Sequence, residues 1–328
     1  MATPTRAIFA AVPLLAVLCA TPAAAQRFPF ERAIDVTPDA TLDVTTVRGK
    51  VIIVADEVRK VRITGTVTVR AGVGGFNVPA NALELAKRVA EHPRIDVADN
   101  TVRLRPPADA DELQAVTVSY DVRVPRDTRI LVSTDSGAVS VDDVAAPVAV
   151  TTQSSTITLG RVAGRTEIKS GSGAVQVDRG DGELRIVTQS SAITVRGHRG
   201  ALDARTQSGV VRATFTGGGA AAVETGSSAI SLEGLTGPVS VRSESGRVDL
   251  TGHPTQTWSV TTGSSVIDVS LDSISKVTLD ATSRSSSVRL DGFDVEGATS
   301  KGRVAGTVGG GGPTVRLASR SGQIRIAR

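Results

Sequence analysis

Two aspartates at equivalent positions of neighbouring sequence repeats are the strongest candidates for chemistry in this chain. Asp249 and Asp268 occupy the same outward-facing column, and Arg289 follows in the next copy. Two carboxylates one strand spacing apart could share a proton, hold a cation or hydrolyse a glycoside. The same column contains Arg212 and Ser231, as expected of an ordinary solvated sheet face. We therefore predict no catalytic residues.

The other reactive side chains do not form a recognisable site either. Ser172, between Gly171 and Gly173, fits a turn, and no G-x-S-x-G nucleophile elbow or calcium-binding nonapeptide is present. The single tryptophan, Trp258, could anchor a ligand but is expected to plug the core at a coil end. Three histidines lie far apart, one at a helix end and two in loops: His92, His198 and His253. No spacing of His, Cys and carboxylates indicates zinc, so we predict no metal and no cofactor.

All of these residues except His92 belong to a short repeat that runs from residue 131 to the end of the chain. Each copy reads Ser, then Gly or Ser, then apolar residues in alternation, and successive copies are 18, 18, 18, 18, 19, 18, 19 and 21 residues apart. A fixed short period with strand-like alternation is typical of a solenoid. The sequence therefore predicts an all-β, single-stranded parallel β-solenoid (β-helix) with coils of about 18–19 residues and two strands in each coil. The first inward column is Val139, Ile157, Val175, Ile193, Val211, Ile230, Val248, Ile267, Val288 and Ile324.

A serine column and the position after it mark one corner of every coil. A small residue fits a tight corner, and its hydroxyl can bond backbone groups or the next coil's serine, so we interpret the column as structural. Glycine and serine alternate at the next position, which indicates a 36-residue unit of two coils, with the glycines at positive φ. The serines are Ser136, Ser154, Ser172, Ser190, Ser208, Ser227, Ser245, Ser264, Ser285 and Ser321; the alternating residues are Gly137, Ser155, Gly173, Ser191, Gly209, Ser228, Gly246 and Ser265.

The remaining sequence divides into an export signal and an N-terminal cap. Residues 1–25 have a positive start, a short apolar run and an A-x-A cleavage site, which predicts a signal peptide. The alternative, lipidation at Cys19, is disfavoured because Val17-Leu18 is a poor lipidation context. We predict that residues 26–130 form a β-strand cap with one helix near 79–92, and that 131–328 form the solenoid. No separate C-terminal cap is expected.

Composition narrows the possible partners. The net charge is +4 and the charges are interspersed, which argues against nucleic acid. Aromatic residues make up only 2% of the chain, so stacking platforms for sugars or bases are nearly absent. No apolar run reaches the about 18 residues of a membrane span.

The chain resembles the bacterial adhesin-like β-strand-repeat family of unknown function, which is related to auto-transporter adhesin head domains. The resemblance rests on Val47-Arg48-Gly49-Lys50-Val51, on Val124-Pro125-Arg126-Asp127-Thr128 and on the repeated Ser-Gly/Ser coil. It implies a β-solenoid surface or periplasmic protein without catalytic residues to carry over.

From these observations we predict an exported, non-enzymatic β-solenoid that acts as an adhesin-like or envelope-associated binding protein. Its partner would be a surface glycan or an envelope protein, and its location the periplasm, the cell surface or the medium. Two alternatives stay open. One is a polysaccharide-active β-helix enzyme, and the other is an envelope scaffold or sensor that binds a protein partner by strand addition at an open end.

Overall fold

The computed structural model describes residues 26–57, 59–70 and 80–328. The predicted signal peptide, Cys19, and the start of the predicted helix lie outside these residues. The N-terminal elements are β1 (Arg27–Asp35), β2 (Thr41–Thr46), β3 (Val51–Asp56), β4 (Lys60–Val69), α1 (Ala82–Glu91), β5 (Ile95–Ala98), β6 (Thr101–Leu104), α2 (Ala110–Ala115) and β7 (Val116–Pro125).

The repeat region alternates longer and shorter strands. They are β8 (Arg129–Ser136), β9 (Val139–Asp142), β10 (Val148–Ser154), β11 (Ile157–Leu159), β12 (Thr166–Ser172), β13 (Val175–Asp178), β14 (Leu184–Ser190), β15 (Ile193–His198), β16 (Leu202–Thr206), β17 (Val211–Phe215), β18 (Ala221–Ser227), β19 (Ile230–Leu235), β20 (Val239–Ser245), β21 (Arg247–Gly252), β22 (Trp258–Thr262) and β23 (Val266–Leu271). The C-terminal strands are β24 (Val277–Ser283), β25 (Val288–Asp291), β26 (Glu296–Ser300), β27 (Arg303–Val308), β28 (Thr314–Ser319) and β29 (Ile324–Ala327).

Two long sheets, parallel over most of their strands, form the predicted solenoid. The described strands include twelve coils, each of which contributes one strand to a 14-stranded sheet A and one to a 15-stranded sheet B. The register advances by one repeat per coil, so that Val148 pairs with Thr166 and Ile157 with Val175. At about 4.8 Å per coil, the stack is roughly 50 Å long.

Period-2 alternation places the predicted columns in the core between the sheets. The inward residue of one coil lies beside its equivalent in the next, as Val139 lies beside Ile157. The β-branched and aliphatic side chains of the first inward column are all buried. This burial on one face of a strand explains why every residue of the first inward column is valine or isoleucine.

The N-terminal region contributes coils and closes its end of the stack with antiparallel strands. The coil β2–β3 packs on β8–β9, and the coil β6–β7 lies outside it. Strands β4 and β1 then continue sheet A, and β5 continues sheet B, all in antiparallel pairing.

Two helices lie in the described part of this N-terminal region, where one was predicted. Helix α1 confirms the predicted helix, although Leu83 is exposed and not on the buried side. Asn81 occupies the N-cap position without a side-chain hydrogen bond. The second helix, α2, was not predicted. Its start is capped by Asp109, which accepts a hydrogen bond from the Asp111 amide at 2.8 Å. No described helix is long and apolar enough to cross a membrane.

At the other end the coils do not stack in the order of the chain. Strands β28 and β29 lie between the coil β22–β23 and the coil β24–β25. The repeat that comes last in the sequence is therefore the second-last coil of the stack. The antiparallel hairpin β26–β27 then extends sheet B beyond β24. No separate C-terminal cap was expected, but this hairpin, which includes Ser300, lies beyond the last coil and is not itself a coil.

Candidate functional site

The two predicted carboxylates lie side by side but are bound to one arginine. Asp249 pairs with Asp268 in the register of β21 and β23. The Arg247 Nε atom lies 2.7 Å from Asp249 Oδ1, and its Nη2 atom lies 2.7 Å from Asp268 Oδ2. The hydrogen bond to Asp249, and the charges of both aspartates, raise the pKa of Arg247 above its ordinary value, so the guanidinium stays charged. The single arginine compensates one of the two carboxylate charges, which makes the pair a weaker site for a cation.

The predicted order of this column is wrong beyond Asp268. Arg325 follows Asp268, and Arg289 comes only after Arg325. The cause is the insertion of β29 between β23 and β25, which chain order could not indicate.

The histidines stay apart, as the sequence predicted. His92 follows α1, and His253 Nδ1 lies 3.1 Å from Ser275 Oγ. His198 was predicted in a loop but is the buried last residue of β15. Its ring contacts the Phe215 ring edge-on, and its Nε2 atom lies 3.2 Å from the Ala201 carbonyl oxygen. Burial lowers the pKa of His198. Within the described residues, no group of three or more His, Cys, Asp or Glu side chains is placed to hold a metal.

Trp258 and the serine column have the structural roles that the sequence indicated. Trp258 is fully buried, and its Nε1 atom donates to the Gly237 carbonyl at 3.0 Å. Stacked serine hydroxyls connect neighbouring coils, with Ser154 Oγ 3.1 Å from Ser172 Oγ. Ser245 Oγ also donates to Ser227 Oγ at 3.2 Å.

The Gly/Ser alternation has a steric cause. A Cβ on Gly173 would lie 2.2 Å from the Ser155 carbonyl oxygen, and one on Gly246 would lie 2.3 Å from that of Ser228. Positive φ is confirmed for Gly137, Gly173 and Gly246. The prediction of positive φ was wrong for Gly209. The Gly209 amide donates to the Ser228 hydroxyl at 2.6 Å.

Sequence reasoning missed a row of buried hydroxyls that runs along the inside of sheet B. The row lies three residues before the Gly/Ser position of each coil. Its members pair in register and are at most 6% exposed: Thr46, Thr134, Thr152, Ser170, Thr188, Thr206, Thr225, Ser243, Thr262, Ser319 and Ser283. The signal was present, because every copy has Thr or Ser at that position.

This row follows the two-coil alternation. In most glycine coils the hydroxyl donates to the carbonyl two residues on, as Ser170 Oγ does to Ser172 at 3.1 Å and Ser243 Oγ does to Ser245 at 2.9 Å. Thr206 Oγ1, in the Gly209 coil, donates instead to the Gln189 carbonyl. In serine coils the hydroxyls of Thr188, Thr225 and Thr262 have no hydrogen-bond partner among the described residues. The exception is Thr152, whose hydroxyl donates to Ser170 Oγ at 3.2 Å. The geometry therefore supports a repeating unit of two coils.

A long groove crosses the outer face of sheet B, and sequence reasoning did not identify it. It has a volume of about 1350 Å³ and extends from β10 to Arg320, just after β28. We call it the sheet B groove. One column of lining residues is Lys169, Val187, Arg205, Glu224, Arg242 and Thr261; the next is Gly171, Gln189, Gln207, Gly226, Glu244, Gly263 and Arg320.

Glycines give this groove regular gaps between long polar side chains. A Cβ on Gly171 would lie 2.6 Å from the Gln153 carbonyl oxygen, and one on Gly263 would lie 2.5 Å from that of Glu244. Side chains are thus excluded at these positions by the backbone of the neighbouring coil. Gln189 and Gln207, on adjacent coils, leave their amides exposed between these gaps.

The charges of the groove differ between its two halves. Lys169 Nζ lies 2.9 Å from Glu167 Oε1, and Arg205 lies 3.3 Å from Asp203 and 3.7 Å from Glu224. Arg242 and Arg320 are exposed, and neither has an ion-pair partner among the described residues. Two unpaired cations therefore face solvent in the C-terminal half of the groove.

A protein-family model describes this repeat region. The model for Toastrack DUF4097 matches residues 113–222 and again 218–327, which together cover well over half of the chain. The chain belongs to the Toastrack DUF4097 family. The match confirms the predicted resemblance to an adhesin-like β-strand-repeat family and agrees with the two long sheets.

The Toastrack chain is also similar to two solved structures. It is 13% identical to a "putative cell adhesion protein" from Clostridium sporogenes ATCC 15579, with 91% of this chain and 99% of that chain covered and a TM-score of 0.22. It is 14% identical to a "putative adhesin" from Bacteroides fragilis NCTC 9343, with 91% and 96% covered and a TM-score of 0.24. TM-scores this low do not support an assignment of the fold, which is based on the two sheets described above. No curated protein matches the chain.

The two Toastrack matches meet in the middle of the sheet B groove. They overlap at residues 218–222, where β18 begins, and the groove extends to both sides of this strand. The groove is therefore built jointly by both repeats. A ligand lying along it would contact both.

Proposed function

We propose that this Toastrack protein acts by binding and not by catalysis, as an exported, adhesin-like component of the cell envelope. Its ligand would be an extended surface glycan that lies along the sheet B groove. The observation that supports the proposal is the groove itself, which aligns outward positions, most of them polar, from coil to coil across sheet B. Such a surface fits a linear polymer better than a compact substrate.

The enzyme alternative has less support. The best carboxylate pair, Asp249 and Asp268, lies on sheet A, which is not the sheet that forms the groove, and Arg247 bonds both of its members. Glycoside hydrolysis requires a carboxylic acid on one side of the scissile bond and a free carboxylate, as base or nucleophile, on the other.

Binding of the purified protein to an array of glycans and envelope polymers tests the proposal, with product release measured in the same wells. We expect saturable binding without product. Reversing an unpaired groove cation in Arg242→Glu or Arg320→Glu should weaken binding about tenfold or more, since hydrogen bonds to charged groups are worth about 1.5–3 kcal/mol.

The matched control is Arg212→Glu. Arg212 is an exposed arginine on the outer face of sheet A, so its reversal changes the net charge equally but leaves the groove intact. Equal weakening in all three variants would mean that the groove is not the binding site. Product release that is lost in Asp249→Ala or Asp268→Ala would replace the proposal with the enzyme alternative. Absence of binding and turnover would point to a protein partner.

A further inference from the structure

The positive charges of the sheet B groove recur at every second coil. Lys169 on β12, Arg205 on β16 and Arg242 on β20 lie in one outward column, with one coil between each and the next. Arg320 follows two coils beyond Arg242, just after β28, in the neighbouring column. All four side chains are exposed, and they are the cations among the described residues that line the groove. We call these four residues the cation row.

The spacing of the cation row is close to the repeat of an extended sugar chain. Neighbouring strands lie about 4.8 Å apart, so two coils span roughly 10 Å. A disaccharide in an extended glycan has a similar length. A glycan lying along the groove would therefore present the same part of each disaccharide to successive members of the cation row.

The coils between these cations contribute no positive charge to the described lining of the groove. In the column of Lys169 they carry Val187 on β14, Glu224 on β18 and Thr261 on β22. A glycan with an acidic group on every sugar would place one such group beside Glu224, where the two negative charges repel each other. A glycan with an acidic group on every second sugar avoids this contact.

The charge available to a ligand is greatest at the C-terminal end of the cation row. Its first two members already have acidic partners, as described above, whereas its last two have no ion-pair partner among the described residues. The acids that line the groove are Glu224 and Glu244, so its four cations leave a net positive charge of two. Glu244 lies in the neighbouring column of the Arg242 coil and can accept hydrogen bonds from glycan hydroxyls.

We propose that the sheet B groove binds a linear acidic glycan with one acidic group in every disaccharide, and that these groups pair with successive members of the cation row. This inference rests on the proposed function and specifies the class of its ligand. Arginine and lysine form charge-assisted hydrogen bonds with acidic groups. Several such contacts along one chain reinforce each other, so the affinity depends on the length of the glycan.

Calorimetric titration with hyaluronan oligosaccharides of two to six disaccharides tests this inference, because hyaluronan carries one carboxylate in each disaccharide. We expect the affinity to rise with each added disaccharide up to four and then to level off, since the cation row has four members. The neutral methyl esters of the same oligosaccharides should bind about tenfold more weakly or less. Oligosaccharides of β-linked glucuronate, with a carboxylate on every sugar, should also bind more weakly because of Glu224.

Variants of single groove charges separate this inference from a general attraction between charges. Arg242→Gln should weaken binding of the four-disaccharide hyaluronan about tenfold and leave binding of its methyl ester unchanged. The control Arg212→Gln removes an equal charge from the outer face of sheet A and should leave both unchanged. Glu224→Gln should improve binding of the oligoglucuronate more than binding of hyaluronan, because it removes the repelling acid. Circular dichroism confirms folding, and Arg320→Gln replaces Arg242→Gln if that variant does not fold.

Four results would overturn the inference. They are methyl esters that bind as tightly as the acids, an affinity that does not change with length, oligoglucuronate that binds as tightly as hyaluronan, and Arg242→Gln with the affinity of the parent. Each of them leaves glycan binding itself in place, so the proposed function survives. Absence of binding to every glycan of the array overturns both proposals.

Discussion

Replacement of Gly173 by alanine tests the explanation of the Gly/Ser alternation. Gly173 has a φ of +113°, which an L-residue adopts at a cost of about 1–2 kcal/mol. The new Cβ would lie 2.2 Å from the oxygen and 2.7 Å from the carbon of the Ser155 carbonyl, and backbone atoms cannot rotate away as a side chain would. Overpacking of this kind costs about 1–3 kcal/mol. The expected loss in free energy of unfolding is therefore about 2–5 kcal/mol.

Gly310→Ala is the matched control for this prediction. Gly310 also has a positive φ, +85°, but a Cβ there would meet no heavy atom within 4 Å. Its substitution costs only the backbone term, about 1–2 kcal/mol. Both variants change glycine to alanine, so the effect on the unfolded chain is the same in each. Urea unfolding followed by circular dichroism gives the two midpoints. Equal midpoints would refute the steric explanation, since only Gly173 has the neighbouring carbonyl.

Buried groups give three further predictions. Trp258→Ala should lower the free energy of unfolding by about 3–5 kcal/mol, because Trp258 is fully buried, and a loss under about 1 kcal/mol in urea unfolding would contradict its role as a core plug. Ser265→Ala should raise the free energy of unfolding by about 1 kcal/mol, because the buried Ser265 hydroxyl has no partner among the described residues. Ser283→Ala should lower it by about the same amount, because Ser283 Oγ donates to the Gly322 carbonyl at 2.8 Å. A change of the same sign for both variants in thermal melts would count against this account. Burial lowers the pKa of His198 below 6.5, so its contribution to stability is present in full above the unfolded pKa and is lost as the pH falls through the lower folded pKa. The urea midpoint should therefore fall less between about pH 7 and pH 5 in His198→Leu than in the parent. The control His92→Leu, at an exposed position, should show the same fall as the parent. An unchanged fall in His198→Leu would show that the acid sensitivity arises elsewhere.

The repeat period was sufficient to predict the coil, its two strands and its core columns. Period-2 alternation assigns each side chain to a face, so the pairing of Asp249 with Asp268 follows from the amino-acid sequence alone. The buried hydroxyl row could have been found in the same way. The alternation of apolar residues drew attention away from it, although Thr152 and its equivalents recur just as regularly.

The order of the last coils could not be predicted, for a physical reason. The apolar strands of every coil are alike, so β24 and β28 are equally good neighbours for β22, and chain order is only a default. The wrong placement of Arg289 follows directly from that default. The salt bridges of Arg247 were also missed, because they depend on where a long side chain points and not on the repeat.

The insertion of β28–β29 means that the order of assembly differs from the order of synthesis. A ribosome produces β24 and β25 before β28 and β29, yet β24 pairs with β28, and β25 pairs with β29. Coil-by-coil growth from the N-terminal side can therefore proceed only as far as β23, until Thr314–Ala327 has been made and occupies the vacant place. Completion of the stack therefore waits for strands that are made after β24 and β25.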